Sequence, residues 1–136
     1  QPNLHRISAS PFENICISYL RDLRKAGKTP FRFLKIGRFW GKVTHRDEGT
    51  KPYTTSEEID IYATDSAQTK YILGECKFTA EPFDMGQLKK LQAKLSLQGE
   101  VWYYLFSLSG FTDGVKEYAA AHSNTVLITA DDILSQ

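Results

Sequence analysis

A chain of 136 residues with 41% hydrophobic and 12% aromatic content is long enough to bury one core. Nothing in it approaches the length of a membrane-spanning apolar run, no signal-peptide pattern is visible, and the two cysteines lack Cys-x-x-Cys spacing, so a helical membrane protein, a secreted disulfide scaffold and a zinc ribbon are all disfavoured. The formal charge of +1 conceals an asymmetry: residues 1–52 hold 11 Lys and Arg against 4 Asp and Glu, a balance of +7, and the remainder holds 6 against 12, a balance of −6.

The chain opens Gln1-Pro2-Asn3 without an initiator Met, which leads us to expect a fragment of a longer polypeptide. Phe12, Ile15, Cys16, Tyr19, Leu20 and Leu23 recur at helical spacing and predict an amphipathic helix over 11–26, stopped by Gly27. Ser10-Pro11-Phe12-Glu13 supplies an N-cap, a proline at the first helical position and a capping-box glutamate. Glu13 also lies at the margin of the apolar stripe, where it can look toward a sheet, so capping and site roles both stand. A strand-like run over 31–36 continues through a glycine-bounded aromatic and basic segment, 37–42, toward Val43, and 44–56 is expected to be a flexible loop.

Two alternating runs follow, separated by the short polar stretch 66–69, and predict a hairpin closed between Asp65 and Lys70. That register sets Ile61 opposite Gly74 and Ile59 opposite Cys76 on an apolar face, and Asp60 opposite Glu75 with Glu58 opposite Lys77 on the other. Facing carboxylates repel unless a cation, an ammonium or a raised pKa relieves them. Oxygen-only ligation suits magnesium or manganese, so Asp60 and Glu75 are the expected metal ligands, with the Cys76 carbonyl as a further oxygen. Lys77 would then orient a water or neutralise developing charge. The plainer alternative is a Glu58–Lys77 ion pair beside a solvated Asp60.

Downstream, Asp84-Met85-Gly86-Gln87 is a second capping box, opening a helix with Leu88, Leu91 and Leu95 on its stripe and Lys89, Lys90 and Lys94 off it. An aromatic strand over 101–108, a helix over 112–122 capped by Thr112, a strand over 125–129 and a short helix over 130–134 complete the order α, β, β, β, α, β, α, β. The expected fold class is α/β: one domain over 1–136, a mixed sheet flanked by helices. Cys16 and Cys76 both fall on apolar faces, so reduced thiols and a cytoplasmic location are expected. In the basic half, Arg32, Lys35, Arg38 and Lys42 are candidate phosphate contacts. The histidines share no ligand spacing.

This αβββαβ core, with an acidic residue in its first helix, an Asp on the second strand and Glu-x-Lys on the third, resembles the restriction-endonuclease-like PD-(D/E)XK nuclease superfamily. Glu13, Asp60, Glu75 and Lys77 are the matching positions, with Gln87 where some members add a polar helix residue; the proline before the Asp is replaced by Ile59. The stretches FENICISYL, IGRFWGK, EIDIYA, ILGECKF and YLFSLSGFT resemble the uncharacterised C-terminal domain of archaeal-type AAA family ATPases, also bacterial, which is placed in that superfamily. The resemblance implies a DNA nuclease domain attached to an ATPase region on the same polypeptide. A catalytically silent DNA-binding or protein-interaction domain is the alternative, and a purely structural domain a third. The sequence leaves the oligomeric state open.

Overall fold

The predicted hairpin forms, and a sheet extends to either side of it. In the computed structural model, which describes residues 3–5 and 10–135, the elements run β1 (Asn3–His5), α1 (Pro11–Lys25), β2 (Lys35–His45), β3 (Tyr53–Thr64), β4 (Lys70–Lys77), α2 (Met85–Ala93), β5 (Glu100–Ser107), α3 (Asp113–Ala121), β6 (Thr125–Thr129) and α4 (Ala130–Leu134). The opening Gln1-Pro2 lies outside the described residues. Strands β1 to β6 lie side by side in chain order; the first three pairings are antiparallel and the last two parallel. The expected mixed sheet of an α/β domain is therefore present, with the αβββαβ order intact. Each parallel pairing requires a crossover, and α2 and α3 supply them.

Both faces of the sheet are covered. On one, Cys16, Ile17 and Leu20 of α1 pack with Ile61, Ala63, Ile72, Phe106 and Ile128, and Ile133 of α4 joins them. On the other, Leu88 and Leu91 of α2 and Val115 of α3 pack with Phe39, Ile59, Leu73 and Leu105. Local signals place the helix starts. Ser10 caps α1 through the Glu13 amide, Asp84 and Gln87 form the reciprocal capping box of α2, and Thr112 caps α3.

Three local expectations need correction. The apolar stripe of α1 is rotated: Ile17 is buried, whereas Phe12 and Ile15 are exposed at 48% and 46%. Residues 31–34 do not form a strand; the Thr29 hydroxyl donates to the Phe31 carbonyl at 2.8 Å, and Phe31 and Phe33 plug the core edge-to-face. The loop expected over 44–56 is shorter, residues 46–52, because β2 and β3 pair out to His45 and Tyr53. The β-branched run Val43-Thr44 opposite Thr54-Thr55 favours that ladder. The buried His45 ring closes it, meeting Thr55 Oγ1 at 2.8 Å and Ser96 Oγ at 2.9 Å while stacking on Tyr53.

The largest departure lies in the middle of β3. Gly37 pairs with Tyr62 and Phe39 with Ile59, so Arg38 alone opposes both Asp60 and Ile61. This is a β-bulge, which adds one residue to a strand and re-aims its side chains. Its consequence is visible in the packing: Ile61 belongs to the α1 face and Ile59 to the α2 face, although strict alternation would put both on one side.

Candidate active site

The hairpin register holds as far as Ile61 opposite Gly74 and stops there. The expected pairs Ile59–Cys76, Asp60–Glu75 and Glu58–Lys77 are not formed, because the bulge turns β3 away from β4. Asp60 fills the resulting notch. Its Oδ2 accepts the Cys76 backbone N–H at 3.0 Å, replacing the lost rung with a side-chain bond. The N–H and C=O of one strand residue point to the same side, so the Cys76 carbonyl also faces the notch.

Charged groups meet here from both faces of the sheet. From the α1 side, Arg38 reaches Glu13 Oε1 at 2.7 Å and Glu58 Oε2 at 3.3 Å. From the α2 side, Lys94 lies 3.6 Å from Glu75 Oε1 and donates to the Glu58 carbonyl at 2.6 Å. Burial raises the Glu13 pKa above the usual carboxylate range, and the charge of Asp60 raises it further against the opposing pull of Arg38. Glu75 is raised in the same sense, by burial first and by Asp60, with Lys94 and Lys77 acting the other way. Burial works against the charge of Arg38, but Glu13 and Asp60 outweigh it and its pKa rises. The Asp60 charge thus acts on both Glu13 and Glu75.

Glu13 enters this cluster and does not cap its own helix through its side chain; only its amide bonds Ser10. Lys77 is partly buried at the last position of β4, and its backbone carbonyl accepts Leu108 N–H at 3.0 Å. Cys76 faces the α1 core, where the neighbouring Cys16 thiol and burial push its own thiol far up, so no thiolate is available as a ligand. Gln87 is spent elsewhere: its Oε1 accepts the Asp84 amide at 3.0 Å in the cap of α2. Beside the notch, the half-exposed Phe12 stacks on Phe78 with ring centroids 4.3 Å apart.

The four candidate phosphate contacts do not share one surface. Arg38 is inside the notch. Arg32 lines a cleft of about 530 Å³ with Arg24, Lys25, Gly27, Thr29 and Phe31 at the far end of α1. Eleven helical residues separate Arg24 from Glu13, roughly 16 Å along the axis. Lys35 and Lys42 are exposed on β2, and strand alternation puts them on opposite faces. Sequence reasoning missed Lys94, whose signal was its place three residues beyond Leu91, beside the apolar stripe and not opposite it. It also missed that Arg38 would belong to the acidic group.

Among the described residues, no three His, Cys, Asp or Glu side chains converge into a cation cage. What is present is smaller: the carboxylates of Asp60 and Glu75 flanking a notch, with the Cys76 carbonyl turned toward it. That donor set fits a hard divalent ion that keeps most of its waters and takes one or two carboxylates.

No solved structure matches the chain. It is 37% identical over 67 residues to an uncharacterized protein of Methanocaldococcus jannaschii, MJECL04; the match covers 49% of this chain and only 12% of that protein. A model of the DUF234 family, described as archaeal and bacterial proteins of unknown function, matches residues 1–94. Neither description carries an activity. No helix of the described residues is long and apolar enough to cross a membrane. With most of its length covered by that family model, the chain belongs to the DUF234 family.

Proposed function

We propose that this domain binds nucleic acid, DNA foremost, and hydrolyses phosphodiester bonds with one magnesium or manganese ion. The observation that carries the reading is the notch, where Asp60 takes the Cys76 amide and thereby sits beside Glu75. Asp60, Glu75 and the Cys76 carbonyl would hold the ion, which supplies Lewis-acid polarisation of a phosphoryl oxygen and of the attacking water. Lys77, immediately after the Glu75-Cys76 pair, places an ammonium where negative charge develops on the phosphoryl group. Glu13 fixes Arg38 at the notch wall. Basic residues of the first half of the chain supply sequence-independent affinity for the backbone. An AAA-type ATPase region on the same polypeptide fits the sequence resemblance, and the long relative leaves ample chain for one. Function inside the cytoplasm fits the two free thiols, Cys16 buried and Cys76 partly so.

One observation favours a second reading. Arg38 and Lys94 already neutralise Glu13, Glu58 and Glu75 without an ion, as they would in a catalytically silent accessory domain that binds DNA or another subunit. Calorimetric manganese titration alongside cleavage of plasmid and branched DNA separates the two. Manganese binding with cleavage, both lost in Glu75→Gln, supports hydrolysis. Manganese binding with no cleavage, even with the ATPase and ATP present, leaves the accessory reading, and absence of manganese binding removes the ion site.

A further inference from the structure

Arg38 was expected on a phosphate-binding surface and lies instead within the acidic notch, opposite the bulge that carries Asp60. Its two contacts are unequal. The bond to Glu13 is short, 2.7 Å, and both partners are largely covered, with 24% and 13% of their side chains exposed. The bond to Glu58 is longer, 3.3 Å, and the Glu58 side chain is 60% exposed. A guanidinium offers donors on more than one edge, so it can keep one carboxylate while exchanging another for a phosphate. An exposed ion pair at that distance contributes little to stability, so the exchange costs little.

We propose that Arg38 is a positioning residue that couples nucleic-acid binding to divalent-cation binding: Glu13 anchors it, and an incoming phosphodiester replaces Glu58 on its free edge. This rests on the ion site proposed above. Without DNA, the Arg38 charge faces Asp60 and Glu13 and opposes a cation in the notch. With a phosphate on its outer edge, that charge is compensated and the notch accepts the cation more readily. Coupling is reciprocal, so the cation tightens DNA by the same factor. Glu58 acts as the competitor for the phosphate.

The test is calorimetric titration of calcium, a hard ion with oxygen ligands, into the protein alone and into its complex with a short duplex. In wild type the duplex should tighten calcium by about 5–150-fold, the usual range of such coupling. Arg38→Met should bind calcium more tightly than wild type when DNA is absent, and the gain on adding DNA should shrink. Arg38→Lys keeps the charge without the fork, so it should retain weak calcium binding alone and lose most of the coupling. Glu58→Gln, a surface change that leaves the anchor to Glu13 in place, should tighten DNA at low salt. Unchanged calcium affinity of Arg38→Met without DNA, or undiminished coupling in both Arg38 variants, overturns the proposal while leaving the ion site standing. If wild type takes up no calcium with or without DNA, the ion site itself falls and this inference with it.

Discussion

Asp60 has two separable roles, and substitution can divide them. As an acceptor it satisfies the partly buried Cys76 N–H at 3.0 Å where the β3–β4 ladder has ended. As a charge it raises Glu13 and Glu75 and would hold the ion. Asp60→Ala removes both, leaving an unsatisfied donor that costs about 1–3 kcal/mol. Relief of carboxylate repulsion returns a fraction of this, under about 1 kcal/mol for groups so close to solvent. The net loss of about 1–2 kcal/mol lowers the melting temperature of a domain this size by roughly 4–8 °C. Asp60→Asn keeps an oxygen for the Cys76 amide and drops the charge, so its stability should equal or exceed that of wild type. Both variants should lose manganese affinity by more than about 100-fold, since second-shell changes alone cost 10–100-fold. Differential scanning calorimetry and manganese titration on the three proteins read both roles. An Asp60→Asn protein that melts as low as Asp60→Ala would show that the acceptor role is misassigned. One that binds manganese like wild type would refute the ion site.

Lys77→Met should retain manganese, or bind it slightly more tightly, yet slow single-turnover cleavage by about 10²–10³-fold, because the ammonium acts on charge that develops only in the transition state. Equal loss of binding and rate would make Lys77 structural. Gly74 is the last paired residue of β4 before the notch, and a Cβ there would lie 3.0 Å from Ile61 Cβ and 3.2 Å from the Tyr104 carbonyl oxygen. Gly74→Ala should therefore destabilise by about 1–3 kcal/mol, seen as a lower urea midpoint; an unchanged midpoint would mean that β3 yields without cost. Glu75→Gln tests the raised pKa through pH. A carboxyl whose folded pKa lies above its unfolded value binds more protons in the native state between those pKa values, so wild-type stability falls as pH rises through that window. Glu75→Gln should thus be more stable than wild type at neutral pH, by about 0.5–2 kcal/mol, and the gap should close as pH falls toward the unfolded value of 4.5. A gap independent of pH would show that Lys94 cancels the effect of burial on Glu75, and a Glu75→Gln protein that becomes less stable than wild type as pH rises would show that Lys94 dominates.

Which features were legible in the sequence follows from the range of the forces that make them. Caps act over three residues, so Ser10, Asp84 and Thr112 place three helix starts correctly. Hairpin closure is also local: the Asp65 amide bonds the Lys70 carbonyl at 3.3 Å, and from there the register to Ile61 and Gly74 follows by counting. Counting fails one residue later. The bulge is defined by a single opposing residue on β2, Arg38, more than twenty positions upstream, and no periodicity within β3 reports it. Ile59 therefore changes face, and the pairs drawn beyond Ile61 do not form. Lys94 escaped for a similar reason, since its partners Glu75 and the Glu58 carbonyl come from two other elements.

The feature that defeated the register argument is also what assembles the charged group. An uninterrupted ladder would have placed Asp60 and Glu75 flat against each other on one face, with Arg38 and Glu13 isolated from Glu75 behind the sheet. By ending the ladder, the bulge opens a gap through which charges on both faces interact: Glu13 and Arg38 from the α1 side, Glu75 and Lys94 from the α2 side, and Asp60 between them. Acidic groups brought this close need cations in order to fold, and Arg38 and Lys94 provide them without any ion. The same cations that make the notch foldable also compete with a divalent ion for its carboxylates. On the proposed reading, such a site would gain affinity for metal when a polyanion compensates the Arg38 charge while Glu13 holds that side chain in place, which would tie occupancy of the notch to bound nucleic acid.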